Sequence, residues 1–208
     1  MDQPSEQRAR VAKEAARLLY TGASEEYKHA KERAARSLGL TSMPSNYEVA
    51  IELDLIAEDQ EGEERERLLK TMREVAILIM KDLADYNPVL TGSVWRGTAR
   101  RGSDIDINVY SSEPEDAEAL LVKKGYNVRE SEEMKLVKGG RTIKSRHISI
   151  QLAEGPVAEV IVRPVEDMGE EERCETYGDL KRGLKLPELE KLMRTDPLRK
   201  FVPRRRYR

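Results

Sequence analysis

Asp104 and Asp106, separated by the single residue Ile105, are the residues of this chain best placed to do chemistry. In an extended strand, alternate side chains share a face, so the two carboxylates stand roughly 6 to 7 Å apart at the backbone while Ile105, Ile107 and Val109 point the other way. Two carboxylates so spaced can lean onto hard cations such as Mg2+, which take oxygen ligands and keep positions open for water and phosphate oxygens. A pair of such ions about 4 Å apart stabilises both the attacking and the leaving oxygen of a phosphoryl displacement. The chemistry to which this pattern points is metal-assisted transfer at phosphorus.

A turn precedes the acidic pair. Val89, Leu90 and Thr91 read as a short strand after Pro88, and Gly92-Ser93 ends it before a short helical stretch over Val94 to Ala99. Glycine lets a ligand approach the backbone closely, and Ser93 at the N-cap would direct amide groups and the positive end of a helix outward, as a triphosphate requires. Gly92-Ser93, ten intervening residues and then Asp104-Ile105-Asp106 resembles the signature of the DNA polymerase beta-like nucleotidyltransferase superfamily. Gly102-Ser-Asp-Ile-Asp-Ile107 and the Val-Ile-Val-Arg-Pro run ending at Pro164 are most similar to the archaeal members, among them the CCA-adding tRNA enzymes, whose long additional domains do not fit in the remaining length. The similarity spans residues 85 to 166.

That resemblance implies an enzyme that moves a nucleoside monophosphate from a nucleoside triphosphate to an acceptor hydroxyl, releasing pyrophosphate. It implies two Mg2+ ions, with Mn2+ as a substitute, and a third carboxylate on a later strand. Glu159, within Pro156 to Pro164, holds the matching position, where the family more often has aspartate. Glu154 is the nearby competitor; Glu159 is preferred because Val157, Val160, Ile161 and Val162 mark a central strand, where an acid needs a reason. Gly92 and Ser93 are then expected to hold nucleotide phosphates. Arg96, Arg100 and Arg101 flank that turn and could reach phosphates bidentately, Arg96 foremost. RNA is one candidate acceptor. A partner toxin protein, as in antitoxin-like AMP transferases, is another, and a non-catalytic nucleotide- or RNA-binding module is the third reading. His147 reads as a neutral strand-end residue and His29 as a surface one.

Charged residues make up 37% of the 208, yet the net charge is only -2, so the whole chain has no basic excess of the kind that marks a nucleic-acid-binding domain. Dense charge of both signs with little Asn or Gln hints at a thermophilic source. The single cysteine, Cys174, excludes an internal disulfide framework, and with no Cys-rich or His-rich cluster a zinc site has no support. A polar start and the lack of a long apolar run lead us to expect a cytoplasmic protein with no membrane contact.

Supporting elements follow from periodicity. Val11, Ala15, Leu18 and Leu19 give one or two amphipathic helices over residues 5 to 38, broken near Thr21-Gly22. Tyr47 to Ala57 and Glu63 to Asp85 read as helices, the second with Leu68, Met72, Val75, Ile79 and Leu83 on one face. Pro114 to Lys124 reads as a helix, Tyr126 to Val137 and Thr142 to Leu152 as a hairpin around Gly139-Gly140, and Val157 to Val162 as a strand. Helical segments are expected over Arg173 to Leu184 and Pro187 to Arg194. The fold class is therefore α+β: a helical N-terminal region (1–84), a core with a mixed sheet and helices on one side (85–166), and a helical C-terminal segment (167–208). That segment ends in a basic tail, with Arg199, Lys200 and Arg204 to Arg208 around Tyr207, a composition suited to backbone phosphates and a stacked base.

Overall fold

The computed structural model describes residues 3–138, 141–152 and 155–204. Glu154, the Gly139-Gly140 turn and the tail residues 205–208 lie outside the described residues. The chain divides into two compact units.

The first unit takes in the described parts of Met1–Arg65, Arg173–Leu180 and Pro203–Arg208. Helices α1 (Pro4–Tyr20) and α2 (Tyr27–Leu38) are joined through Thr21-Gly22, as the sequence indicates. Pro4 opens α1, and Gln3 and Glu6 form a capping box that satisfies its first amides. The seam is rich in alanine: Ala12, Ala15, Ala16, Ala30, Ala34 and Ala35 are buried with Val11 and Val49. Small side chains allow the backbones to pack closely without a large core.

Helix α3 (Asn46–Asp82) runs from the first unit into the second and is interrupted at Gly62, whose backbone (φ 51°, ψ -129°) is not helical. Only glycine adopts such angles at little cost. The two helices expected over 47–57 and 63–85 are thus the two arms of α3.

The second unit, Glu66–Glu172 with Lys181–Val202, holds the sheet. Its strands are β1 (Val89–Leu90), β2 (Ile105–Tyr110), β3 (Asn127–Lys138), β4 (Arg141–Gln151), β5 (Val157–Arg163) and β6 (Leu184–Lys185), in the order β3-β4-β5-β2-β1-β6. The β2 and β5 strands are parallel, and the other neighbours are antiparallel. One face buries Ile105, Ile107, Val109, Ile148, Ile150, Ala158, Val160 and Val162 in a single core with Met72 and Ile79 of α3, Leu83 just after it, Leu121 of α5 (Pro114–Lys123) and Leu189 of α6 (Leu186–Thr195). Each such side chain contributes about 1.5 to 3 kcal/mol of burial, which fixes which way the alternate residues must point.

The helix expected over Arg173 to Leu184 is absent. Arg173 and Leu180 form an isolated antiparallel bridge, Cys174 N–H donates to Asp179 O (2.7 Å), and β6 begins at Leu184. Gly178 and Gly183 adopt left-handed backbone (φ 75° and 65°), turn conformations that interrupt a helix over this stretch.

Candidate active site

Burial alternates along β2 and β5, and the pattern delivers the acids to the half-open face. Asp106 of β2 is in register with Glu159 of β5, which is in register with Ser149 of β4. Asp104 precedes the first residue of β2 and is exposed, in the turn that Ser103 organises by accepting the Arg100 amide (3.0 Å). The three expected acids therefore occupy one region, two in adjacent parallel strands and one at the strand entrance. Burial, then Glu159, then Asp104 push the Asp106 carboxyl up to about 6, and burial followed by Glu159 raises Asp104 as well. Like charges brought together in a partly desolvated place favour protons or cations.

The Gly92 turn abuts this acidic edge. Thr91 N–H donates to Asp106 O (2.8 Å), continuing the β1–β2 pairing, and Gly92 then turns with φ 65° into the short helix α4 (Gly92–Arg96). A Cβ on Gly92 would overlap Asp106 Oδ2. The helix begins two residues earlier than the periodicity suggests. Its N-cap is Thr91, and Ser93 lies within the first turn rather than at the cap. Gly92 is exposed and Ser93 half-exposed, so this stretch of backbone faces outward beside Asp106.

Arg96 is placed elsewhere. It is only 3% exposed, its guanidinium lies 4.3 Å over the Trp95 ring, and Nη1 donates to Phe201 O (2.9 Å). These contacts tie it to the residues after α6, so phosphate contact is not what its setting favours. Arg101 is exposed, and Arg100 Nη1 donates to Arg101 O (3.3 Å).

His147 and Arg73 were not read as site residues from the sequence. His147 Nδ1 lies 2.7 Å from Glu159 Oε1, and its Nε2 lies 3.2 Å from Ser145 Oγ. Both ring nitrogens are thus held, one by the candidate third carboxylate. The available signal was the alternation with buried Ile148 and Ile150, which sends His147 to the acidic face. Arg73 lies buried behind α4, and nothing in an amphipathic helix pattern distinguishes it.

Among the described residues, no three His, Cys, Asp or Glu side chains converge on one point suited to a metal ion. Glu159 is instead turned to His147. The donor set nevertheless fits a hard divalent cation by its chemistry: three oxygen donors, mutually repelling, with Asp106 held at a raised proton affinity that a cation would relieve.

Residues 73–173 match the family model of the nucleotidyltransferase domain. None of the curated proteins compared matches the chain. Among solved structures, the chain is similar to the GLD-2/RNP-8 complex (10% identity, 49% of this chain and 42% of that one, TM-score 0.32). It is similar also to Cid1 in complex with the UTP analogue UMPNPP (16%, 57% and 37%, TM-score 0.33) and to a cytoplasmic RNA terminal U-transferase (18%, 56% and 34%, TM-score 0.30). The chain thus covers less than half the length of each of these structures.

Proposed function

We propose, from the match of residues 73–173 to the nucleotidyltransferase domain, that the protein is an enzyme transferring a nucleoside monophosphate from a nucleoside triphosphate to an acceptor hydroxyl. The observation that carries the reading is the seating of Gly92 against Asp106, with Glu159 in register on the next strand. It brings a phosphate-accessible stretch of backbone and a carboxylate cluster to one edge.

Asp104, Asp106 and Glu159 are the residues that would hold Mg2+ or Mn2+. When bound, the cations neutralise charge on the phosphates and on the attacking oxygen. Gly92 and Ser93 hold the β- and γ-phosphates through backbone amides and the Ser93 hydroxyl. The acceptor oxygen attacks the α-phosphorus, the bond to the bridging oxygen breaks, and pyrophosphate leaves. Glu159 takes the hydroxyl proton on the carboxylate oxygen not engaged by His147, and His147 fixes that carboxylate's orientation. The protein's part is position and charge neutralisation, which is where most catalysis of phosphoryl transfer resides.

RNA is the acceptor class we favour, since the C-terminal residues Arg199, Lys200 and Arg204 to Arg208 around Tyr207 combine phosphate-pairing and stacking side chains. Mg2+, each α-labelled nucleoside triphosphate in turn, and a mixture of cellular RNA and protein form the assay, beside the double variant Asp104→Ala/Asp106→Ala. Label in RNA that is lost in the variant supports the reading. Label in a protein band moves the acceptor to a protein partner. No label, with no Mg2+-dependent nucleotide binding, overturns the enzyme reading and leaves a binding module. No helix among the described residues is long and apolar enough to cross a membrane.

A further inference from the structure

Arg73 of α3 has no exposed surface, and its three guanidinium nitrogens all donate to backbone carbonyls. Nε donates to Val94 O (3.1 Å), Nη1 to Pro197 O (2.6 Å), and Nη2 to both Trp95 O (3.1 Å) and Arg199 O (3.0 Å). Two of these acceptors lie in the last turn of α4. A five-residue helix leaves most of its carbonyls without intrahelical donors, and Gly97 (φ 72°) ends this one at once. Arg73 adds donors from behind, to Val94 O beside its long bond from Gly97 N–H (3.4 Å) and to Trp95 O.

The other two acceptors belong to the segment after α6. That segment is fastened to α4 a second time, by Phe201 N–H donating to Arg96 O (2.8 Å) and Arg96 Nη1 donating to Phe201 O (2.9 Å). It also passes directly over Gly97, where a Cβ would come within 2.6 Å of Arg199 O. Residues 197–201 therefore form a strap across the back of α4, and Arg73 pins helix and strap together. An arginine kept in an apolar core is costly to desolvate, and burial lowers its pKa to about 10. An apolar residue of similar volume would fill the space but leave four carbonyls without these donors.

We propose that Arg73 is a positioning residue for the nucleotide: with the strap 197–201 it fixes α4, and so sets where the Gly92 and Ser93 amides stand against Asp106. The proposal rests on the reading that the Gly92–Ser93 turn holds the triphosphate. Trp95, the only tryptophan, sits in α4 and reports on it directly.

The test measures Mg2+-dependent binding of a non-hydrolysable nucleoside triphosphate, Trp95 emission, KM, kcat and thermal midpoint for the full chain, Arg73→Met, Arg73→Lys and Met80→Ala. Met80 is fully buried on the same helix and serves as a control for plain loss of stability. A displaced binding group can lower productive binding by up to about 100-fold, so Arg73→Met should raise Kd and KM at least about tenfold and shift Trp95 emission. Arg73→Lys should recover part of both, and Met80→Ala should leave both at wild-type values despite a lowered midpoint. Equal losses of affinity in Arg73→Met and Met80→Ala at matched midpoints would overturn the proposal, as would wild-type affinity in Arg73→Met. Should Arg73→Met not fold, Gly97→Ala takes its place, because its Cβ presses on the strap at Arg199 O. Unchanged nucleotide affinity in that variant overturns the proposal, and a comparable rise in Kd supports it. A wild-type protein that binds no Mg2+–nucleotide overturns the functional reading itself, and that outcome is seen before any variant is made.

Discussion

Gly92 packs its Cα against the carboxylate of Asp106, so closely that no side chain could stand between them. In the function proposed above, this contact holds the backbone that would face a nucleotide's phosphates and the carboxylate that would face its cation at one fixed separation. The contact needs two things together: a residue without Cβ, and a backbone at φ 65° that other residues resist.

Gly92→Ala is accordingly expected to fail twice. The left-handed backbone alone costs about 1 kcal/mol or more in a non-glycine residue, and the methyl group displaces Asp106. Nucleotidyl transfer should fall by about 100-fold or more, as misplaced reacting groups require, while the thermal midpoint drops only a few degrees. Transfer rates near wild type would show that the Gly92–Asp106 contact does not set the geometry.

Asp106→Asn should uncouple stability from activity. Asp106 holds its proton up to about pH 6, against an ordinary value of 3.8, so its ionised form is disfavoured in the folded state. By linkage, that amounts to roughly 3 kcal/mol of strain at neutral pH. The amide removes the charge in nearly the same volume, so thermal unfolding without metal at pH 7.5 should give a higher midpoint for the variant. Transfer should be abolished. A midpoint equal to or below wild type would contradict the electrostatic account.

The same group sets a pH dependence of definite sign. Between pH about 4 and about 6 the folded state retains a proton that the unfolded chain has released, so stability declines as pH rises through that window and the full penalty stands above it. Denaturant titrations from pH 4 to 8 should show the decline in the wild type and a flatter profile in Asp106→Asn. Protons and cations compete for the same oxygens, so Mg2+-dependent nucleotide binding should weaken as pH falls below about 6. A wild-type profile that rises with pH across this range would refute the assignment.

His147→Ala tests the carboxylate at the other side of the cluster. The Nδ1 contact to Glu159 Oε1 holds that side chain in one orientation, and loss of such outer partners typically costs 10-fold to 100-fold in metal affinity or activity. The half-saturating Mg2+ concentration should rise about tenfold in His147→Ala, with Glu159→Gln losing transfer outright. An unchanged Mg2+ dependence would reduce the histidine to a packing role.

The acidic face was legible from residue types alone. Asp104 and Asp106 alternate with Ile105, Ile107 and Val109, and Glu159 alternates with Ala158, Val160 and Val162, so burying the apolar partners leaves the acids no other side. The parallel register that sets Glu159 beside Asp106 was not legible, because it depends on where the chain returns after β3 and β4. Arg96 shows the same boundary. Its neighbours in sequence suggested phosphates, whereas its environment is made by Trp95 and by Phe201, more than a hundred residues later. His147, read as an isolated strand-end residue, acquires Glu159 as a partner only when β4 and β5 pair.

What the sequence by itself determined is local and periodic: the Gly-Ser turn, the Asp-x-Asp spacing, the alternation that sorts each strand into two faces, and the separation of the helices over 47–57 and 63–85. Those follow from covalent geometry and the period of each element, which act over a few residues. What only the tertiary structure decided is which distant groups meet: Gly92 against Asp106, Asp106 beside Glu159, Glu159 held by His147, and α4 pinned by Arg73 to a strap 124 and 126 residues further along the chain. Such meetings are fixed by burial of the shared core and by the need of buried polar groups for partners, and neither constraint leaves a mark at short sequence separation.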